Sequence, residues 1–228
     1  MQIIWHGQSC FEIIIPKGKG ESITLLVDPP SEAKTGLKPP ARTGAQIVLL
    51  TSASYTAGKG DLEKIAPGAF LVDGPGEYES RGVYIRGIDF NFGKTGVAQD
   101  AAAPESFAMG TIYTIEAEEM KLCHLGNFSG KELAAAQVEK IGNVDILMFP
   151  AGGGKDFGAK EALKVVSQIE PSIAIPMNYE IPKLKLEAGN LKEFLKTAGI
   201  SQTEPLAKLT IKKKEINLEE AKIIVLTP

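Results

Sequence analysis

The first half of the chain is written in short apolar runs. Residues 2–5, 10–15 and 23–27 are rich in Ile and Val and predict three strands. Pro16-Lys17-Gly18-Lys19-Gly20, between the second and third, supplies turn residues for a hairpin loop. Asp28-Pro29-Pro30 ends the third run, and residues 31–42 read as a polar, proline-bearing loop. The unbroken apolar stretch 47–50 suits a strand covered on both faces. Residues 60–65 predict a short helix or turn, and 69–72, 83–88 and 111–116 predict further strands. Residues 91–110, with Asp100-Ala101-Ala102-Ala103-Pro104, read as a long loop.

The pattern then changes to alternating helix and strand. Residues 133–141, 158–169 and 191–199 have helical character, while 146–149, 173–175 and 223–226 read as strands. Strands covered by helices in both halves predict an α/β fold, a four-layer αββα sandwich. It would form one domain, 1–228, from two αβ halves near 1–110 and 111–228. No repeat of 20–50 residues stands out.

Composition narrows the class. The 228 residues are 43% hydrophobic and 23% charged, enough for a sizeable core. A net charge of −3 provides no basic footprint, which argues against nucleic acid. Lys212-Lys213-Lys214 reads as a solvated turn. No apolar run reaches the ~18 residues of a membrane span, and the first residues lack the basic-then-apolar order of a signal peptide. Cys10 and Cys123 lie in apolar segments and read as buried thiols rather than a disulfide framework. The expected compartment is cytoplasmic.

Six motifs fall in a telling order: Trp5-His6-Gly7-Gln8-Ser9-Cys10-Phe11, Leu26-Val27-Asp28-Pro29, Asp73-Gly74-Pro75-Gly76-Glu77-Tyr78-Glu79, Cys123-His124-Leu125-Gly126-Asn127, Val144-Asp145-Ile146-Leu147-Met148-Phe149-Pro150-Ala151-Gly152-Gly153 and Ile175-Pro176-Met177-Asn178-Tyr179. Together they resemble the metallo-β-lactamase fold superfamily, in the branch of zinc-dependent hydrolases related to ascorbate-phosphate lactonases. The resemblance covers nearly the whole chain and implies the four-layer fold.

It also implies a metal site whose ligand positions can be inspected one by one. In the family a strand ends in Thr-His-x-His-x-Asp-His, which sets several ligands on one turn. Here Thr51 matches, the two histidine positions are Ser52 and Ser54, the aspartate position is Thr56 and the last histidine position is Ala57. The family's Gly-Asp appears as Gly126-Asn127, and its Pro-Met-His-Tyr as Pro176-Met177-Asn178-Tyr179. Ser, Thr and Asn are neutral and poor zinc ligands beside imidazole or thiolate. The chain holds two histidines in all, His6 and His124. The resemblance therefore implies a vestigial site at Ser52, Ser54, Thr56, Ala57, Asn127 and Asn178.

Other polar residues are candidates to line the pocket: Asp28, Glu77, Glu79 and His124. Asp73, Glu77 and Glu79 would offer hard oxygen ligands to Mg²⁺ or Ca²⁺, or form a rigid turn with solvated carboxylates. Asp28 is expected to bond backbone near the site rather than hold metal alone. His6 reads as a turn residue. Cys123 and His124 are adjacent on a strand, so their side chains point to opposite faces and do not pair as nucleophile and base. Ser52 and Ser54 lack an identifiable base. Gly152-Gly153-Gly154-Lys155 lacks the spacing of a phosphate loop.

The sequence thus supports a metallo-β-lactamase-fold protein without metal ligands, a non-catalytic binding or regulatory protein with no metal and no cofactor. Its partner would be an unidentified small molecule or protein, or a second copy in a homo-oligomer. The alternative is a Zn-dependent hydrolase with an atypical or partner-completed site.

Overall fold

The computed structural model describes residues 1–41, 43–91, 109–152, 157–217 and 221–228. Most of the segment read as a long loop, and Gly153-Gly154-Lys155, lie outside the described residues.

The apolar runs become strands in two sheets. The first sheet holds β1 (Gln2–Trp5), β2 (Phe11–Gly18), β3 (Glu21–Val27), β4 (Ile47–Leu49) and β5 (Phe70–Val72), joined by β12 (Leu209–Thr210) in the order β12-β1-β2-β3-β4-β5. The second holds β6 (Gly76–Ser80), β7 (Val83–Asn91), β8 (Met109–Ala117), β9 (Met120–His124), β10 (Ile146–Pro150), β11 (Ile173–Met177) and β13 (Lys222–Ile223), in the order β13-β11-β10-β9-β8-β7-β6. The helices are α1 (Glu32–Thr35), α2 (Lys59–Ile65), α3 (Ala135–Ile141), α4 (Ala159–Ile169) and α5 (Leu191–Thr197).

Period-two alternation sorts the side chains of β3 and β4 into two layers. Leu25, Val27, Ile47 and Leu49 enter the main core shared with the second sheet. Leu26 and Val48 point the other way and pack with Leu62 and Ile65 of α2. Both faces are covered, which is why these strands read as unbroken apolar runs. On the far side α4 buries Ala162, Val165 and Ile169 and packs on β10. The layers are helix, sheet, sheet, helix, as the sequence pattern predicts.

The division between halves differs from the expected one. β6 and β7 already belong to the second sheet, since β7 pairs antiparallel with β8. β12 returns from the C-terminal part to pair with β1. Strand partners are chosen by backbone pairing and shared core, not by position along the chain. The acidic run 77–79 is a strand rather than a turn, and the Lys-rich turn carries a 3-10 turn at Lys213–Glu215.

That Lys-rich turn is tied down. Lys213 Nζ lies 2.7 and 2.8 Å from the two carboxylate oxygens of Asp145, which also accepts the Lys121 backbone N–H. Lys213→Met should therefore lower stability by about 1 kcal/mol. The lysine is partly exposed, which keeps the effect small, while Asp145 is buried and loses its counter-charge. Urea unfolding checks this; an unchanged midpoint would show that β12 alone holds the tail.

Candidate functional site

The parallel strands β3, β4, β9 and β11 bring their C-terminal ends to one edge of the sandwich, where Asp28, Thr51, Gly126 and Asn178 follow them. Such an edge is the usual place for ligands in parallel sheets. The turn between β1 and β2 closes over it, as Asn178 donates its backbone N–H to the Gln8 carbonyl at 3.4 Å. Three non-glycine residues here adopt left-handed backbone: Gln8 (φ 52°), Asp28 (φ 45°) and Asn178 (φ 56°). Backbone in such sparsely populated regions is held by its surroundings and clusters at functional sites.

Thr51 ties the edge together. Its N–H donates to Asp28 Oδ1 at 2.7 Å and its hydroxyl to Asp28 Oδ2 at 2.5 Å. Its carbonyl accepts the N–H of Thr111, on β8 of the other sheet, at 2.8 Å. Gly126 packs against its side chain so closely that a Cβ there would lie 2.5 Å from Thr51 Oγ1. Tyr113, also on β8, donates its hydroxyl to the Leu50 carbonyl at 3.0 Å.

Asp28 is 2% exposed. Burial pushes its carboxyl up to about 6, against the opposing hydrogen bonds from Thr51 and Ser9. His124 is fully buried, and burial pushes its imidazole down to about 4. Gly126 donates its N–H to His124 Nδ1 at 3.0 Å, so Nδ1 is the acceptor. Nε2 then carries the proton and donates to the Ser9 carbonyl at 3.0 Å. The ring is neutral, both nitrogens are used, and Phe11 stands edge-on to it at 5.6 Å. His124 therefore bridges the two sheets, in a structural role, and its ring nitrogens do not line the pocket.

The hydroxyl residues bond to one another. Ser52 Oγ donates to Ser54 Oγ at 3.1 Å and accepts the Ser54 N–H at 3.2 Å. Thr56 donates its hydroxyl to the Ser52 carbonyl at 2.9 Å. Ala57 departs from the expected pocket: its methyl joins the core under α2 with Leu26 and Leu62, because its N–H is committed to the Pro29 carbonyl. Asn178 donates Nδ2 to Asn127 Oδ1 at 2.9 Å and faces the Gly126 carbonyl at 3.5 Å with the same nitrogen. Gln8 Nε2, Asn127 Nδ2 and Asn178 Oδ1 are buried without a protein hydrogen-bond partner. Each such atom costs about 1–3 kcal/mol.

Glu77 and Glu79 do not join this cluster. Both are exposed on edge strand β6; Glu77 pairs with Arg86 at 2.9 Å and Glu79 accepts the Gly82 N–H of its own hairpin at 2.7 Å. Their strand geometry points them to one solvent face, so of the two readings they are solvated carboxylates, on a strand rather than a turn. His6 contacts Glu12 at 3.1 Å. Gln8, Ser9 and Tyr113 escape sequence reasoning as individuals; for the first two, the Trp5–Cys10 turn motif was the available signal.

A zinc centre needs imidazole, thiolate or carboxylate donors. Among the described residues no group of three or more His, Cys, Asp or Glu could hold a metal ion. Asp28 and His124 have their ligating atoms engaged, and the remaining side chains are neutral hydroxyls and amides. Among the described residues, the side chains at this edge do not fit the metal. Among the described residues, no helix is long and apolar enough to cross a membrane.

Comparison with known proteins bears on the family and the fold. Residues 2–178 match the family described as the Beta-lactamase superfamily domain. A UPF0173 metal-dependent hydrolase of Methanopyrus kandleri is 27% identical over 233 residues, covering 88% of this chain and 94% of that protein. One from Thermococcus onnurineus is 28% identical over 217 residues, covering 87% and 92%. A solved structure from Thermotoga maritima, named for a Zn-dependent hydrolase of the metallo-β-lactamase superfamily, has a TM-score of 0.73 at 26% identity, covering 99% of this chain and 97% of that one. A metallo hydrolase of Ignicoccus hospitalis has a TM-score of 0.60 at 16% identity, covering 92% and 99%, and shares the fold.

Proposed function

This chain belongs to the metallo-β-lactamase superfamily, and from that premise we propose that its strand-end site is a neutral polar binding pocket, in a protein that binds a small polar molecule or a protein partner without hydrolysing it. The observation that supports this reading is the donor set. Ser52, Ser54, Thr56, Asn127 and Asn178 stand at the strand ends, hydrogen-bonded among themselves or to nearby backbone. The neighbouring carboxylate of Asp28 is committed to Thr51. Nothing in that arrangement offers the charge that holds a divalent cation or activates a water. The cytoplasm is the compartment we propose, supported by two buried free thiols.

A second reading, a metal-dependent hydrolase with an atypical or partner-completed site, has its own support. Relatives that match most of this chain carry that name. Those names speak for hydrolysis more directly than for a non-catalytic role; the donor chemistry of this chain speaks for binding. Under the second reading Asp28, Glu77, Glu79 or His124, or a second subunit, would contribute ligands.

Metal content separates the two. Protein purified without chelator and dialysed against trace zinc and manganese should hold well under one metal per chain by elemental mass spectrometry. Its thermal midpoint should not move on adding a chelator. One or two tightly held ions per chain, with a midpoint that falls on chelation, would reject the binding reading in favour of the hydrolase.

A further inference from the structure

We infer that the three carboxamides at the strand ends, Gln8, Asn127 and Asn178, form a receptor for a neutral amide-type group, one that accepts two hydrogen bonds and donates one. The inference rests on the reading of the site as metal-free and names the ligand class that such a site takes.

The three side chains come from separate elements: the β1–β2 turn, the turn after β9 and the end of β11. They are linked through Asn178, whose N–H meets the Gln8 carbonyl and whose Nδ2 meets Asn127 Oδ1. The orientation of Asn178 follows from Gly126, because its nitrogen faces the Gly126 carbonyl. The reversed amide would set oxygen against oxygen there. Two donors, Gln8 Nε2 and Asn127 Nδ2, and one acceptor, Asn178 Oδ1, are then left without protein partners. Asn178 is 9% exposed, so bulk water does not satisfy it. Gln8 and Asn127 are half-buried, so the cluster lies just beneath the surface.

The mixture of polarities selects the occupant. A divalent cation would be drawn to the Asn178 oxygen and repelled by the two N–H groups. A carboxylate or phosphate would pair with the N–H groups and be repelled by that oxygen. It would also meet the buried Asp28 carboxylate, one layer behind through Gly126 and Thr51. A carboxamide presents a carbonyl oxygen with two lone pairs and an N–H donor, which matches all three valences.

Acetamide and acetate are nearly isosteric probes that differ in charge. In proton–nitrogen correlation spectra, acetamide should shift the side-chain amide signals of Gln8 and Asn127 saturably, while acetate and zinc chloride leave them in place. Asn178→Ala should weaken the acetamide response about tenfold, the worth of one net hydrogen bond. Gln8→Met, in the surface turn, should do the same, and the backbone spectrum of each variant reports whether it is folded. Saturation by acetate with no response to acetamide would overturn the inference. So would silence toward all three probes, which would mean that an ordered water fills the valences; the metal-free reading would survive that result. A response to zinc at stoichiometric concentration would instead defeat the metal-free reading itself.

Discussion

Gly126→Ala is expected to cost about 2–5 kcal/mol and to leave much less folded protein. Gly126 sits at φ +59°, where an alanine costs about 1–2 kcal/mol in backbone strain. The greater penalty is steric. The new Cβ would lie 2.5 Å from Thr51 Oγ1 and 2.6 Å from Thr51 Cβ. Thr51 cannot withdraw, because its N–H and hydroxyl are held by Asp28 and its carbonyl by the Thr111 N–H from the opposite sheet. Overpacking of a well-fixed site typically costs about 1–3 kcal/mol, and strain and overpacking add. Gly199→Ala is the control. It has φ +74° and open space around the added methyl, so it carries the backbone strain alone. Chemical unfolding of both variants reads the difference. Equal losses at the two positions would show that Thr51 moves aside and that the inter-sheet junction is softer than its hydrogen bonds imply.

The second large effect lies in the pH dependence of stability, where Asp28 and His124 act in opposite directions. Burial raises the Asp28 carboxyl from its ordinary 3.8 to about 6, so the folded state holds that proton more tightly than the unfolded chain. Its contribution is greatest below pH 4 and is lost as pH climbs through 6. Burial lowers the His124 imidazole from its ordinary 6.5 to about 4, so the folded state resists protonation. Its contribution is present above pH 6.5 and is lost as pH falls through 4. Each shift of about two units corresponds to about 3 kcal/mol. Across pH 4–6 the two slopes offset each other.

Asp28→Asn removes one of them. Asparagine tolerates the left-handed backbone at this position, and its lost or altered hydrogen bonds to Thr51 shift stability by a constant. The change with pH is then the signal. The stability of the variant relative to the parent should rise by about 3 kcal/mol between pH 4 and pH 7, measured by urea unfolding at each pH. Parallel profiles would mean that Asp28 is ionised in the folded state as easily as in the unfolded chain. That would remove the basis for treating it as a buried carboxylate without a counter-charge.

Much of the architecture was legible along the chain because burial leaves a local record. The run 47–50 is apolar at every position since β4 is covered on both faces, and Leu26 and Val48 could be seen as apolar without knowing that they serve a different layer from Leu25 and Leu49. Short strands were harder. β6 is charged at Glu77 and Glu79 because it lies at a sheet edge, so it carries too little apolar signal to separate it from a turn. β12 is two residues long and is recruited by the open edge of β1.

The candidate site divides in the same way. That Ser52, Ser54, Thr56, Asn127 and Asn178 are neutral is a property of the residues themselves, and it follows from their types alone that they make a poor zinc centre. Which atoms remain available is a property of three-dimensional neighbours. The chain could not reveal that both nitrogens of His124 are committed to Ser9 and Gly126, that Ala57 turns into the core, or that Glu77 faces solvent beside Arg86. Hydrogen-bond satisfaction depends on partners far apart along the chain, 115 residues for Ser9 and His124. The sequence by itself thus determined the layer order, through hydrophobic period, and the uncharged character of the strand-end positions, through residue chemistry. The tertiary structure alone decided which strands share a sheet and which polar atoms are left unpaired at its edge, because both depend on contacts between segments that carry no information about each other along the chain.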